Sequence, residues 1–137
     1  MADYLFKTEP SEYSFDDLRA QGAGVWDGVR NKVALRNLRA IAKGDRVFVY
    51  HTGKEKAVVG VARATSSAYP DPKQAAGTSL AVIDLAPVAE LRTPVTLAQL
   101  KADKEFAESA LVRQGRLSVV ALTARQAARI EKLGAAA

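Results

Sequence analysis

Two neighbouring runs, Arg46-Val47-Phe48-Val49-Tyr50-His51 and Ala57-Val58-Val59-Gly60-Val61-Ala62, carry apolar side chains on both of their alternating faces. A strand with one wet face alternates apolar with polar; a strand apolar on both faces needs cover on both. The turn residues Thr52-Gly53-Lys54-Glu55-Lys56 join the runs, so together they read as a hairpin in a closed or covered sheet. Gly60, inside the second run, predicts a bend or a close approach to the backbone. The 137 residues suffice to enclose one core, and no linker divides them, so residues 1–137 read as a single domain.

Tyr4 to Lys7 predicts a first strand, stopped at Glu9-Pro10. Ser14 with Asp17 predicts an N-cap and an acidic first turn for a short helix through Phe15 and Leu18. Ala34, Leu35, Leu38, Ile41 and Ala42 share one face of a helix from Asn31 to Ala42, and Lys32, Arg36, Arg39 and Lys43 take the other. Tyr69-Pro70-Asp71-Pro72 reads as an irregular loop. Ser79 to Leu85 reads as a strand, with Val88 to Leu91 extending it or following a break at Pro87. Capping boxes at Thr96/Gln99 and Thr123/Gln126 open two helices, with a strand over Leu117 to Ala121 between them. The last helix is expected to end near Leu133 with Gly134 as its C-cap, leaving a frayed tail to Ala137. This order predicts an α+β domain on a mostly antiparallel, curled sheet.

A formal charge of +5 and a pI near 9.6 favour a polyanionic partner such as RNA, DNA or anionic lipid. The chain has no cysteine, which excludes disulfides, thiolate catalysis and Cys-ligated zinc. Its one histidine, His51, excludes a His pair on a metal. No P-loop or dinucleotide fingerprint is present, so neither metal nor cofactor is expected. No run approaches a membrane span and no basic segment with an apolar stretch opens the chain; the expectation is a cytoplasmic protein, monomeric, with no membrane partner.

The chemistry concentrates in Trp26-Asp27-Gly28-Val29-Arg30-Asn31, where the only tryptophan stands beside an arginine and an asparagine ahead of a basic helix. A flat indole with planar hydrogen-bonding groups suits a flat polar ligand on a negative chain, such as a nucleobase on its phosphate backbone. The same residues admit a plainer reading, with Trp26 a core anchor and Arg30 and Asn31 capping the helix start. Arg113-Gln114-Gly115-Arg116-Leu117-Ser118 is a second cluster: arginine suits phosphate, glutamine and serine suit base edges. Lys7, Thr8 and Glu9 form a polar trio that cannot all enter one site if the strand continues through them.

Taken together, the strings Tyr4-Leu5-Phe6-Lys7-Thr8-Glu9-Pro10-Ser11-Glu12-Tyr13-Ser14, Trp26-Asp27-Gly28-Val29-Arg30-Asn31, Lys43-Gly44-Asp45, Tyr50-His51, Val59-Gly60-Val61-Ala62, Ala68-Tyr69-Pro70-Asp71 and Leu111-Val112-Arg113-Gln114-Gly115-Arg116-Leu117-Ser118-Val119 resemble the EVE domain along the whole chain. The resemblance implies a PUA-like fold, a curled β-barrel with peripheral helices, related to the YTH domains with their aromatic cages. It implies a non-catalytic nucleic-acid-binding module that reads modified bases in DNA or RNA. In that picture Lys7, Thr8, Trp26, Asn31, His51, Tyr69, Asp71 and Ser118 line the base pocket, with Tyr69 as the second wall opposite Trp26. Arg30, Arg36, Arg113, Gln114 and Arg116 meet the phosphate chain. The alternative is a PUA-like, ASCH-type hydrolase of a modified base or nucleoside, with Lys7, Thr8 and Glu9 as its suspect residues. A third possibility is a protein adaptor whose basic helix, through Arg36 and Arg39, meets an acidic partner.

Overall fold

The doubly apolar runs become the two central strands of one curled sheet. The structure is a computed structural model that describes residues 2–135. Its strands are β1 (Asp3–Thr8), β2 (Gly24–Trp26), β3 (Arg46–His51), β4 (Ala57–Ala64), β5 (Tyr69–Pro70), β6 (Ala81–Thr96) and β7 (Val119–Leu122). Its helices are α1 (Phe15–Gln21), α2 (Lys32–Ala40), α3 (Leu97–Ala102), α4 (Ala110–Arg113) and α5 (Ala124–Ala135), with a 3-10 turn at Lys104–Phe106.

The sheet runs in the order β2-β6-β4-β3-β1-β7, with β5 added to β6. Neighbours are antiparallel except β1 and β3, which run parallel with Tyr4 opposite Val47 and Lys7 opposite Tyr50. The sheet is therefore mixed, with the antiparallel majority the sequence predicts. Leu5, Phe6, Phe48, Ile83, Leu85, Leu100, Phe106 and Ile130 are fully buried in the core beneath it. A core of this kind is held chiefly by apolar burial, at about 25 cal/mol per Å².

Curl comes from irregular register. Val58 pairs with Val95 but Gly60 pairs with Glu90, so β6 bulges sharply against β4. Pro87 stays in the ladder opposite Ala62, beside a second register shift, and β6 runs unbroken to Thr96. Gly60 is a point of close approach: a Cβ there would lie 2.5 Å from the Phe15 ring, which packs directly on its backbone.

The sheet does not close on itself. Among the described residues β2 pairs only with β6 and β7 only with β1. Helix α2 covers the gap, packing on both β6 and β7. The Asn37 side chain ties it down by donating from Nδ2 to the Val119 carbonyl at 2.8 Å.

The predicted caps form. Ser14 and Asp17 make a reciprocal capping box at α1, Thr96 and Gln99 another at α3, and Thr123 and Gln126 bond reciprocally at 3.0 and 3.1 Å ahead of α5. Two expectations are corrected. Tyr69–Pro70 forms a short strand instead of loop, because its backbone finds free partners on β6 at Val82 and Ala81. Gly134 does not cap α5 but lies inside it, buried against Leu91; the rest of the expected tail, from Ala136, falls outside the described residues. No helix among the described residues is long and apolar enough to cross a membrane.

Candidate nucleic-acid interface

Strand β1 delivers side chains alternately to two sides of the sheet. Phe6 and Thr8 face one way. Phe6 meets the Trp26 indole at 5.1 Å between ring centroids, tilted by 49°. Lys7 faces the other way: its ammonium lies over the Tyr50 ring at 5.5 Å and donates to the Gly115 carbonyl at 2.8 Å. The strand does continue through Thr8, so the Lys7 and Thr8 side chains leave it in opposite directions.

After β1 the chain folds back. The Glu9 carbonyl accepts from the Glu12 and Tyr13 amides, both at 2.9 Å, in the turn that Pro10 starts. Thr8 Oγ1 closes the turn by donating to the Tyr13 carbonyl at 2.7 Å. This brings the Tyr13 ring edge-on to Trp26, at 5.9 Å and 85°. Tyr13 donates to Gln21 Oε1 at 2.8 Å, and its hydroxyl would stand 2.6 Å from a Cβ at residue 24, which is why Gly24 opens β2. Burial, and then the Asp17 carboxylate, raises the Tyr13 phenol above its ordinary pKa and keeps it protonated.

Between these elements lies a cavity of about 470 Å³, within the range of roughly 300–1,000 Å³ for small-molecule sites. Lys7, Trp26, Tyr13, Thr8 and Ser118 contribute to its walls, together with Glu9, Glu12 and Asp27, so Lys7 borders the cavity even though its ammonium is turned toward Tyr50 and Gly115. Trp26 is only 8% exposed, so its ring is mainly a core anchor with one margin on the cavity. Glu9 accepts from Thr52 Oγ1 at 3.2 Å and Asp27 pairs with Lys73 at 3.3 Å. The interior therefore offers hydrogen-bond acceptors and hydroxyls. Along Asp27–Val29 the cavity adjoins a smaller one of about 160 Å³ that holds Arg30 and Asp71.

The other expected pocket residues fall elsewhere. His51 is buried at the end of β3, level with Thr8, where Nε2 accepts from the Phe15 amide at 3.0 Å and Nδ1 meets Glu55 at 3.0 Å; it fixes the start of α1. Asn31 is the N-cap of α2, its Oδ1 accepting from Val33 and Ala34 at 2.9 and 3.1 Å. Tyr69 does not face Trp26. Its hydroxyl donates to Asp84 at 2.6 Å, a bond that pushes its pKa up to about 12, and its ring borders a separate cavity of about 310 Å³. Asp71 is buried and accepts from the Lys73 amide at 2.9 Å. The ring beside Trp26 that sequence reasoning did not assign is Tyr13. Its signal was the Pro10 turn, which reverses the chain over the end of β1.

The expected phosphate contacts are all exposed. Arg30 follows Val29 of the cavity wall, Gln114 and Arg116 lie in the loop leading to Ser118, and Arg36 stands on α2. Among the described residues Arg30, Arg36 and Arg116 have no ion-pair partner, whereas Arg113 pairs with Glu108 at 2.8 Å. Arg39 is engaged with the Ser79 carbonyl.

A curled mixed sheet sealed by a helix, with a cavity at the mouth of the seam, defines a PUA-like domain. The fold is shared at the level of architecture with the ASCH protein ZmASCH from Zymomonas mobilis, at TM-score 0.60 and 15% identity over 96% of both chains. More specifically, the chain belongs to the EVE domain family, whose model matches residues 2–133. The solved protein Rpa0253 from Rhodopseudomonas palustris is 40% identical, covering 98% of this chain and 93% of that one, with a TM-score of 0.91. The human THYN1 protein, solved in complex with 5-methylcytosine containing DNA, is 26% identical over 100% of this chain and 99% of that one, with a TM-score of 0.89. Human thymocyte nuclear protein 1 is 37% identical over 83 residues, which is 52% of this chain. The match spans only 37% of that protein's length.

Proposed function

We propose that this EVE domain is a non-catalytic module that binds nucleic acid and reads a modified base. A base swung out of its strand enters the 470 Å³ cavity beside Trp26, and the exposed arginines at the rim meet the phosphates. The observation that carries this reading is the pairing of an acceptor-rich, indole-bordered cavity with unpaired guanidinium groups on the segments flanking it. The carboxylates suit a base with an exocyclic amine, since Glu and Asp accept from cytosine N4. The relative solved with 5-methylcytosine DNA makes that base the first to test.

Discrimination by one methyl group is worth about 1–3 kcal/mol. Trp26 is the only tryptophan, so its fluorescence reports on this cavity alone. Titration with oligonucleotides that differ by a single 5-methyl group, at fixed salt, should quench the emission and show about tenfold tighter binding of the methylated strand. Equal affinity for both strands with unchanged emission would remove the reading. The oligonucleotide should be recovered intact by mass spectrometry; a changed base mass would point instead to the hydrolase alternative.

A further inference from the structure

The back of β1 carries a second cavity, of about 210 Å³, that has no counterpart in the base-reading picture. Three lysines border it. Lys7 enters from β1, Lys56 from the turn between β3 and β4, and Lys101 from α3. Its apolar wall is made by Tyr50, Leu97 and Leu111. Among the described residues none of the three ammonium groups has a carboxylate within 4.0 Å. A carboxylate does stand close by: that of Glu9 walls the other cavity and also touches Thr52 and Gly53 on the rim of this one.

Three like charges bordering one small concavity, where among the described residues only the Lys7 ammonium holds a carbonyl, that of Gly115, make an electropositive hollow that favours an anion. Lys7 is half-buried, and desolvation lowers its pKa, the response of an ammonium that lacks a counter-ion. Lys56 adds a backbone observation. At φ +45° it is the one non-glycine among the described residues in the left-handed region, where asparagine or glycine would sit at lower cost. The turn holds a lysine in a conformation that lysine disfavours, and the position borders this cavity.

We infer that the cavity behind β1 is a phosphate-binding site, with Lys7, Lys56 and Lys101 as its donors and the aliphatic wall accommodating the ester arm. Its volume lies below the range for whole ligands, so it takes one phosphoryl group and not a complete nucleotide. The group is either a diester of a strand already held at the Trp26 cavity or a free phosphate. Either source satisfies the site, which stands independently of base reading.

The test uses the full chain and the double variant Lys56→Asn/Lys101→Gln. Both positions are exposed, and Asn suits the left-handed backbone; thermal melts check that the fold is kept. In the first arm, amide resonances are followed during titration with inorganic phosphate against chloride at equal ionic strength. Saturable shifts are expected at Gly53, Lys56, Lys101 and Gly115, and they should vanish in the double variant. In the second arm, oligonucleotide affinity is measured against salt. If a strand diester occupies the site, the variant weakens methylated and plain strands alike, by about tenfold, and the salt slope falls by about 0.7 for each phosphate no longer neutralised. If the ligand is free phosphate, strand affinity is unchanged and only the first arm responds. The inference is overturned if neither arm responds to the double variant. Failure of base reading alone, seen as no strand binding at all, leaves the phosphate arm to decide.

Discussion

The two cavities on either side of β1 are built from adjacent residues yet have opposite character. The one in front of the strand holds an indole, a phenol and three carboxylates; the one behind it holds Lys56 and Lys101 on an apolar wall, and Lys7 borders both. Strand alternation sets the difference: the Thr8 hydroxyl turns to the front and the Lys7 ammonium to the back, although Lys7 borders both cavities. The difference teaches that a net charge of +5 is a poor guide to any single site. The basic surplus lies on the rim and behind the sheet, and the chamber that would receive a base is acidic.

The strongest way to break this contrast is Trp26→Ala. Only a margin of the ring reaches the cavity, so the lost contact falls at the low end of the roughly 1–3 kcal/mol of base–aromatic stacking and should lower strand affinity by about tenfold while the phosphate shifts behind β1 persist. Because the ring also packs on Phe6, Trp26→Phe serves as the variant that keeps the core, and it should lose less. Next in size is Lys7→Met, which should abolish the phosphate shifts and, where a strand diester fills that site, weaken every strand several-fold. Its pH signature has a definite sign. Since the folded pKa of Lys7 is lowered, the unfolded chain holds the proton over a range where the folded chain has released it. Stability contributed by this group therefore rises as pH climbs through the folded value toward 10.5, and Lys7→Met should flatten that rise in alkaline melts. A smaller effect is expected from Asn31→Ala. Removing the α2 cap costs about 1 kcal/mol of stability, read by chemical denaturation, and base discrimination should stay within twofold. The smallest concerns Tyr69→Phe. It forfeits one hydrogen bond to Asp84, about 1 kcal/mol, and should leave both cavities unaffected in binding assays.

The architecture was legible because its signals are local. Doubly apolar strands, three capping pairs and the crowded surroundings of Gly60 all act within a few residues or on one neighbour, and each appears where the pattern predicts it. The site was legible only in part. Lys7, Trp26, Thr8 and Ser118 border the front cavity, but which ring stands beside the indole depends on a chain reversal at Pro10 and on the sheet's curl. Tyr69 is in reach of Asp84 on the paired strand, a cross-strand contact that register fixes and spacing does not reveal. His51 illustrates another limit. At the end of a strand it reads as a polar tip, yet it supplies the acceptor for a helix start that lies 36 positions earlier. Lys56 and Lys101 carried no motif at all, and only the sheet and α3 bring them to Lys7.

The seam between β2 and β7 gives the front cavity a mechanical property. Trp26 ends one side of that seam, Ser118 precedes the other, and what joins them is a docked helix tied by the Asn37 and Arg39 side chains. Widening the mouth slides α2 and parts side chains; it does not tear a continuous run of main-chain partners. A bulkier adduct on a base thus meets resistance that grows gradually with its size. Selectivity in this protein should be graded across adducts, with a tolerant upper limit, and not set by an abrupt steric cutoff.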